Sequence, residues 1–310
     1  MLDADTFLIA LYVEADEFCK QHAPRLRRGP APALTRAEVL ALAVFSRWSA
    51  FRSERGFYRY AQRHLRPYFP RLPTRPQLNR QIRAHEEEIV TFFLHLAQRL
   101  GAQDEMVQAI DSTAVPTRNV KRRGLGWLAG EADIGYSNRR GWYEGFRVLS
   151  AVTPCGVVSG FGYASASTND HPLAHSFFEL RRQARPGFFA AAGRWARVYL
   201  GDSGFAGAHL ADAWEATYRS RVVSAPQRNR KGQTRAWPRA VRRWLSSQRQ
   251  IVETVFSKLL YDFRMEEERP HTREGFQVRL AASFALHNFC IWLNRQIGRP
   301  DLTFADLCVL

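Results

Sequence analysis

The sequence is poor in cysteine and methionine, and it lacks any long apolar run. Its 310 residues include only three methionines and four cysteines, at Cys19, Cys155, Cys290 and Cys308. No two cysteines form a Cys-x-x-Cys pair, which argues against a zinc knuckle or a disulfide framework. We interpret them as neutral thiols in a reducing cytoplasm. No segment approaches the roughly 18 apolar residues of a membrane-spanning helix.

Acidic residues are scarce relative to basic ones. The chain has 29 Asp and Glu against 45 Lys and Arg, which gives a formal net charge of +16. Such a surplus attracts polyanions, and nucleic acid is the commonest of them. A membrane surface is the alternative partner, but the first 18 residues are acidic and do not resemble a signal peptide. We therefore expect a DNA-binding protein of the cytoplasm with no membrane partner.

The composition, with 45% hydrophobic residues, suits a folded chain of two regions. Residues 1–103 form an all-helical region in this prediction, and 104–310 form a second domain. Thr35 to Glu38 has the form of a capping box, and Thr74 to Gln77 offers a second cap with Pro76 early in a helix that extends to about Leu100. The arginines near the start of that helix suit a helix-turn-helix reader of DNA. A helical bundle that only packs on the next domain explains the pattern equally well.

After Gly101 the pattern becomes that of an α/β domain. A short apolar strand over 107–110 leads to Asp111, and a second over 197–200 leads to Asp202. Residues 143–165 alternate around Pro154-Cys155-Gly156, which predicts a hairpin. Helices are expected at 172–185, 206–217, 246–264 and 273–297. Hairpin strands followed by alternating helices and strands predict a mixed sheet flanked by helices.

Three carboxylates are candidates for catalysis. Asp111 and Asp202 each follow a buried strand, where an α/β sheet places its reactive groups. Glu253 lies on an amphipathic helix, with Arg249 one turn earlier on the same face. Each has an ordinary alternative: a turn cap for Asp111, an Asx-turn for Asp202 and a surface ion pair with Arg249 for Glu253. These alternatives do not explain why strand-end acids, a helix glutamate and strong positive charge occur together.

Such carboxylates fit phosphoryl transfer with two divalent ions. Three acids can hold two cations about 3.5–4 Å apart, and hard oxygen ligands favour Mg²⁺ or Mn²⁺ over zinc. We therefore assign Asp111, Asp202 and Glu253 as metal ligands and catalytic residues. The glutamate triplets at 86–88 and 266–268 are interpreted as solvated charge runs. Asp133 and Asp170 are placed in loops and set aside.

At these residues the sequence resembles the DDE transposases of bacterial insertion sequences. The resemblance covers about 105–295 and is carried by an ordered set of motifs. They are Ile110-Asp111-Ser112-Thr113-Ala114-Val115-Pro116, Tyr143 to Phe146, Asn169-Asp170-His171, Gly201-Asp202-Ser203-Gly204-Phe205, Arg249 to Phe256, and Arg273 to Asn288. It implies an RNase H-like fold, a metal-binding acidic triad and cut-and-join chemistry. It also implies that Arg249 helps to hold the DNA backbone.

The sequence departs from related families at auxiliary positions. A Tyr three residues before the Arg and a Lys seven after the Glu are replaced by Ser246 and Leu260, although Lys258 is nearby. Where a Lys and then a His often follow the Tyr143 motif, this chain has Arg147 and Leu149. The departures concern phosphate contacts and leave the three acids in place.

Two basic stretches are predicted to contact DNA. No Asp or Glu occurs from Ala216 through Val252, and this stretch leads into the helix of Glu253. A second stretch follows Asp111. Their predicted DNA-binding residues are Arg228, Arg230, Lys231, Trp237, Arg242, Arg243, Trp244, Arg249 and Lys258, with Arg118, Lys121, Arg122 and Arg123. The alternative for 228–234 is a solvated loop. His171 is assigned either a supporting role behind the metal ligands or a place as an ordinary loop imidazole.

The predicted function is therefore a metal-dependent transposase of the bacterial nucleoid. It binds the ends of an insertion sequence in double-stranded DNA, cleaves them and transfers the 3′ ends to target DNA. Because two ends must be held together, a homodimer on DNA is expected. Two alternatives stay open: a nuclease of the same fold that does not join, and a DNA-binding relative without catalysis.

Overall fold

The chain passes twice between two units of the structure. The computed structural model describes residues 1–22, 32–121, 126, 128–182, 198–226, 237–267 and 269–309. A helical unit combines Met1–Leu96 with Leu259–Leu310, and a sheet unit comprises Ala97–Lys258. The sequence prediction had kept all residues after 103 in one domain. The last helix instead packs with the first ones, so the helical unit is discontinuous in sequence.

The helical unit is built around its last helix. Its elements are β1 (Leu2–Asp3), α1 (Ala4–Gln21), α2 (Arg36–Phe45), α3 (Glu54–Tyr60), α4 (Arg75–Ala84), α5 (Glu86–Arg99), α9 (Arg273–Gln296) and β8 (Cys308–Val309). Short π-helical segments follow α3 at Ala61–Leu65 and precede α9 at Lys258–Asp262. From Phe276 to Ile291 nearly every α9 side chain is buried. A helix that is buried on all sides forms the core of its unit.

Local capping signals place the starts of α2 and α4 as predicted. Thr35 and Glu38 bond each other's backbone N–H groups, which completes the capping box at α2. Thr74 and Gln77 form the equivalent box at α4. The predicted continuous helix from there to about Leu100 was wrong, however. It is interrupted at His85, whose backbone leaves the helical region (φ −107°, ψ 22°). The His85 Nδ1 lies 2.7 Å from the Gln81 carbonyl oxygen.

The sheet unit contains a mixed sheet of the RNase H-like type. Its strands are β2 (Val107–Arg118), β3 (Asp133–Ser137), β4 (Gly141–Val152), β5 (Val158–Ser165), β6 (Val198–Leu200) and β7 (Arg221–Val223). Strand β4 pairs antiparallel with β2, β3 and β5, whereas β6 is parallel to both β2 and β7. The order β5-β4-β2-β6-β7, with three antiparallel strands followed by two parallel ones, confirms the predicted fold class. The predicted hairpin is β4 and β5.

Helices α6 (Asp170–Arg182) and α7 (Ala208–Tyr218) cover the sheet with aromatic side chains. Phe177 and Phe178 of α6 and Trp214 of α7 are almost fully buried against Tyr199 of β6 and Ile110 of β2. Helix α8 (Arg239–Ser257) packs on β2, β4 and β6. The core therefore fixes the strand that carries Asp111, and it fixes the strand that leads to Asp202.

The β2–β4 pairing leaves no room for a side chain at Gly145. A Cβ there would meet the Val115 carbonyl and would lie 2.9 Å from Pro116 Cα. We expect Gly145→Ala to destabilise the sheet unit by about 1–3 kcal/mol, because backbone atoms cannot move aside as a side chain can. The measurement is thermal unfolding by circular dichroism. Gly160→Ala on β5 is the matched control, since its Cβ would meet side chains and no backbone, with the Phe177 ring nearest at 3.3 Å. An equal loss of thermal stability in both variants would contradict this prediction.

Candidate active site

Strand register brings Asp111 and Asp202 to the same part of the sheet. Parallel strands β2 and β6 pair Ala109 with Leu200, and each aspartate comes two residues later along its own chain segment. Strand β6 ends at Leu200, as predicted. Strand β2 does not end at Asp111, contrary to the prediction, because it continues to Arg118 in antiparallel pairing with β4. Asp111 is thus held inside a strand, at the point where its parallel neighbour stops.

Asp111 is a half-buried carboxylate that is ion-paired with Arg249. Its Oδ1 accepts a hydrogen bond from the Ser112 N–H at 2.7 Å, and its Oδ2 accepts one from Arg249 Nη2 at 3.1 Å. Burial raises the pKa of Asp111 to about 7; Arg249 opposes this rise, whereas Asp202 and Asp170 add to it. A carboxylate with so high a pKa is one that a nearby cation would stabilise in its charged form.

Asp202 caps the short 3₁₀ helix Ser203–Phe205. Its Oδ1 accepts a hydrogen bond from the Gly204 N–H at 2.7 Å. This is the Asx-turn that the sequence allowed as an alternative, and it orients the carboxylate. The turn does not compete with a role in catalysis, because a carboxylate has further lone pairs for another ligand.

A third aspartate, Asp170, lies beside this pair, and the sequence interpretation had dismissed it. Asp170 is not a loop residue, because it begins α6. A Cβ on Gly204 would lie 2.8 Å from Asp170 Oδ2 and 2.8 Å from Asp202 Oδ1, so both carboxylates border the same space. Asp170 Oδ1 accepts hydrogen bonds from Ser112 Oγ at 2.5 Å and from Arg147 Nη1 at 3.1 Å. The signal available in the sequence was its place in the Asn169-Asp170-His171 motif.

Asp133 also belongs to a regular element and not to a loop. It begins β3, and its carboxylate accepts hydrogen bonds from the backbone N–H and the hydroxyl of Ser167. These bonds tie β3 to the turn that precedes α6. Asp133 therefore has a structural role that accounts for it without catalysis.

Helix α8 presents Arg249 to the aspartates because of the spacing of its buried residues. Leu245, Val252 and Phe256 are buried, and Arg249 lies on the same face between them. Its side chain is 15% exposed and ion-paired with Asp111. Arg249 Nε is buried and has no hydrogen-bond partner among the described residues. The guanidinium thus has a donor left over after it has bound Asp111.

Glu253 is carried by the same helix, but its side chain is exposed. Within the described ranges it forms no ion pair with Arg249, whose partner is Asp111. The surface-pair alternative for Glu253 is therefore not what the structure shows. Among the described residues no three acidic, histidine or cysteine side chains are grouped closely enough to hold a metal ion. Asp111, Asp202 and Asp170 lie near one another without forming such a group, and Glu253 is exposed on α8.

The donor chemistry of these residues nevertheless fits a divalent cation such as Mg²⁺. Asp111 and Asp202 supply hard oxygen ligands from two adjacent strands, and their mutual repulsion requires a positive partner. Burial keeps the pKa of Asp111 raised although the Arg249 guanidinium lowers it. Glu253 lies one helical turn after Arg249 on the helix that already contacts Asp111.

The predicted DNA-contact residues differ in whether the structure describes them and in how exposed they are. Arg122, Arg123, Arg228, Arg230 and Lys231 lie outside the described residues. Arg118 is ion-paired with Glu144, and Lys258 begins the π-helical segment after α8. The exposed ones are Lys121, Arg242, Arg243 and Trp244, and Trp237 is half-buried. The His171 ring packs on Trp214 at a centroid distance of 6.2 Å, and its role behind the metal ligands stays a prediction.

The model of the transposase DDE domain family matches residues 102–289. This range includes the acids Asp111, Asp170, Asp202 and Glu253. The chain belongs to the DDE transposase family. No curated protein and no solved structure gives a significant match. Membership in the DDE transposase family makes the chain a transposase, a DNA-binding and DNA-cleaving enzyme of a family that generally uses divalent metal ions. No helix in the described ranges has both the length and the apolarity needed to cross a bilayer.

Proposed function

We propose that this transposase cleaves phosphodiester bonds at the ends of an insertion sequence and transfers the freed 3′ ends to target DNA. Asp111, Asp202 and Glu253 hold two Mg²⁺ or Mn²⁺ ions in this proposal. One observation supports it best. The pairing of β2 with β6 brings Asp111 and Asp202 to the same part of the sheet, and Arg249 of the basic helix α8 bonds Asp111. Bound divalent ions supply activation of the attacking oxygen and neutralisation of the leaving oxygen.

Arg249 has two roles in succession in this proposal. In the structure its guanidinium compensates the charge of Asp111. With divalent ions bound to the acids, Arg249 would be available to a DNA phosphate, for which its planar fork of donors is suited. The buried Nε without a partner is consistent with a side chain that takes a further acceptor in the working complex.

The exposed face of α8 provides the surface next to this site. Arg242 and Arg243 are exposed there with Trp244, which has 53% of its surface accessible. Arginines bind backbone phosphates, and an exposed tryptophan can stack on an unpaired base near a cut end. DNA that lies along α8 would therefore be held close to Asp111. Two chains are expected to act together, since the reaction joins two ends.

A strand-transfer assay tests this function and separates it from its alternatives. The substrates are a labelled duplex with a pre-cut element end and a supercoiled target plasmid, with Mn²⁺ present. Joined products are the expected result. Free 3′ ends without joining would replace the proposal with a nuclease. Binding without any cut strand, unchanged by Asp202→Asn, would replace it with a DNA-binding relative that lacks catalysis.

A further inference from the structure

An arginine-lined cavity lies within the helical unit. Its volume is about 640 Å³, and the described residues that line it all belong to the discontinuous unit formed by 1–96 and 259–310. Among these described residues are eight arginines and two glutamates, with no lysine or aspartate. The arginines are Arg47, Arg52, Arg55, Arg75, Arg80, Arg83, Arg269 and Arg279. The formal charge of the wall is strongly positive, so the cavity favours an anionic ligand.

Both glutamates of the wall are ion-paired, and only Glu54 neutralises an arginine that also lines the cavity. Glu54 is ion-paired with Arg279 and accepts a further hydrogen bond from Asn79 Nδ2 at 2.9 Å. Glu267 is ion-paired with Arg264, which does not line the cavity. The side chains of Arg52, Arg55, Arg75, Arg80, Arg83 and Arg269 form no hydrogen bond or ion pair with any described residue. Six guanidinium groups are thus available to a ligand.

Two helix N-termini add to the positive potential. Arg75 and Pro76 in the first turn of α4 line the cavity, as do the N-cap Thr272 and Gly275 at the start of α9. The N-terminus of a helix carries a partial positive charge that favours phosphate, and here the Gly275 N–H already donates to Thr272 Oγ1. The cavity therefore combines the fixed dipoles of two helices with mobile guanidinium groups. Phosphate is the anion whose geometry suits this combination, because arginine binds it in a bidentate manner.

We propose that this cavity binds consecutive phosphates of the DNA backbone. The proposal rests on the proposed function, since DNA is the polyanion that a transposase encounters. One phosphate can engage two or three guanidinium groups, so six available groups suit a run of phosphates better than a single small anion. Phosphate contacts position a protein on a duplex and carry no sequence information. The cavity thus differs from the predicted helix-turn-helix reader, which would contact base edges.

The cavity also gives a role to Arg269, which the sequence analysis does not single out. Arg269 is contributed by the segment after the sheet unit, and Arg80 by the segment before it. Both side chains are exposed, so replacing them should not disturb the core. The double variant Arg80→Gln with Arg269→Gln removes one available guanidinium from each segment. The matched control is Arg63→Gln with Arg66→Gln, which removes two exposed arginines of the same unit outside the cavity.

The test measures binding of a fluorescent duplex by anisotropy, with EDTA present so that no strand is cut. At about 0.1 M salt we expect the cavity variant to raise the Kd at least about tenfold, by the same factor on two unrelated sequences. The slope of log Kd against log salt should fall by roughly two, one for each lost phosphate contact. The control should change the Kd less than about threefold. Circular dichroism melts establish that all three proteins are folded.

Several outcomes would overturn the proposal. One is a cavity variant that binds DNA like the control, with an unchanged salt slope. Another is a loss confined to one sequence, which would indicate a base-reading surface. Displacement of DNA by inorganic pyrophosphate at equimolar phosphate would indicate a small-anion site instead. Wild-type chain that binds DNA and cuts nothing with Mn²⁺ refutes the proposed function alone, whereas wild-type chain that binds no DNA refutes both.

Discussion

Asp202→Asn is expected to lower the rate of DNA cleavage by at least about a thousandfold, which corresponds to roughly 4 kcal/mol of transition-state stabilisation. The amide keeps the size of the side chain, and its oxygen can still cap Gly204, so the turn at 203–205 should persist. What the variant loses is the negative charge that a divalent cation requires. The measurement is single-turnover cleavage of a labelled duplex end with Mn²⁺.

The matched control is Asp212→Asn, on the exposed face of α7 in the same unit. It should cleave at the wild-type rate. Metal binding gives a second readout that does not depend on cleavage. Saturating Mn²⁺ should raise the melting temperature of the wild-type protein and of Asp212→Asn, because a ligand that binds only the folded state stabilises it. The same shift in Asp202→Asn would show that Asp202 is not a ligand, and the proposed metal site would be wrong.

A comparison of Glu253→Gln with Asp170→Asn should show which acid completes the metal site. We expect Glu253→Gln to lower cleavage about a hundredfold or more, with a reduced Mn²⁺ shift in melting temperature, because a ligand is lost. Asp170 already accepts hydrogen bonds from Ser112 and Arg147. We therefore expect Asp170→Asn to lower cleavage only about tenfold, through weaker positioning of these partners, with the Mn²⁺ shift retained.

The reverse ranking is the result that would contradict this assignment. If Asp170→Asn abolishes both cleavage and the Mn²⁺ shift while Glu253→Gln has little effect on either, the third ligand is on α6 and not on α8. The test is needed because Glu253 is exposed, whereas Asp170 lies near Asp111 and Asp202. Both substitutions change one carboxylate to its amide, so charge and size are matched.

The mixed sheet could be predicted from the sequence because its strands have local apolar patterns. The positions of Asp111 and Asp202 next to strands could be predicted for the same reason. Strands β4 and β5 follow from apolar alternation around a turn, and Asp111 and Asp202 follow from short apolar runs that end in an acid. The register that brings them together depends on long-range pairing of β2 with β6, which no local pattern specifies. The start of α6 at Asp170 was missed because Asn169-Asp170-His171-Pro172 has the composition of a loop.

In the helical unit, too, local features could be predicted from the sequence and long-range packing could not. The capping boxes at Thr35 and Thr74 were predictable because each involves residues only three positions apart. The interruption at His85 was not, because the apolar periodicity continues across it. Nor could the sequence show that α9 packs with α2 and α4, since α4 ends 189 positions before α9 begins and α2 ends 228 before it. The arginine cavity depends entirely on that packing.

The interrupted helical unit determines the order in which the protein can fold during translation. The sheet unit is one continuous segment, so it can close as soon as residue 258 has left the ribosome. Helices α1 to α4 are synthesised first, yet their unit is complete only with α9, which is buried along nearly all of Phe276 to Ile291. Nascent transposase therefore acquires its catalytic fold before the arginine cavity exists. A chain that stops before α9 would leave its first helices without an apolar partner, as an aggregation-prone target for proteases.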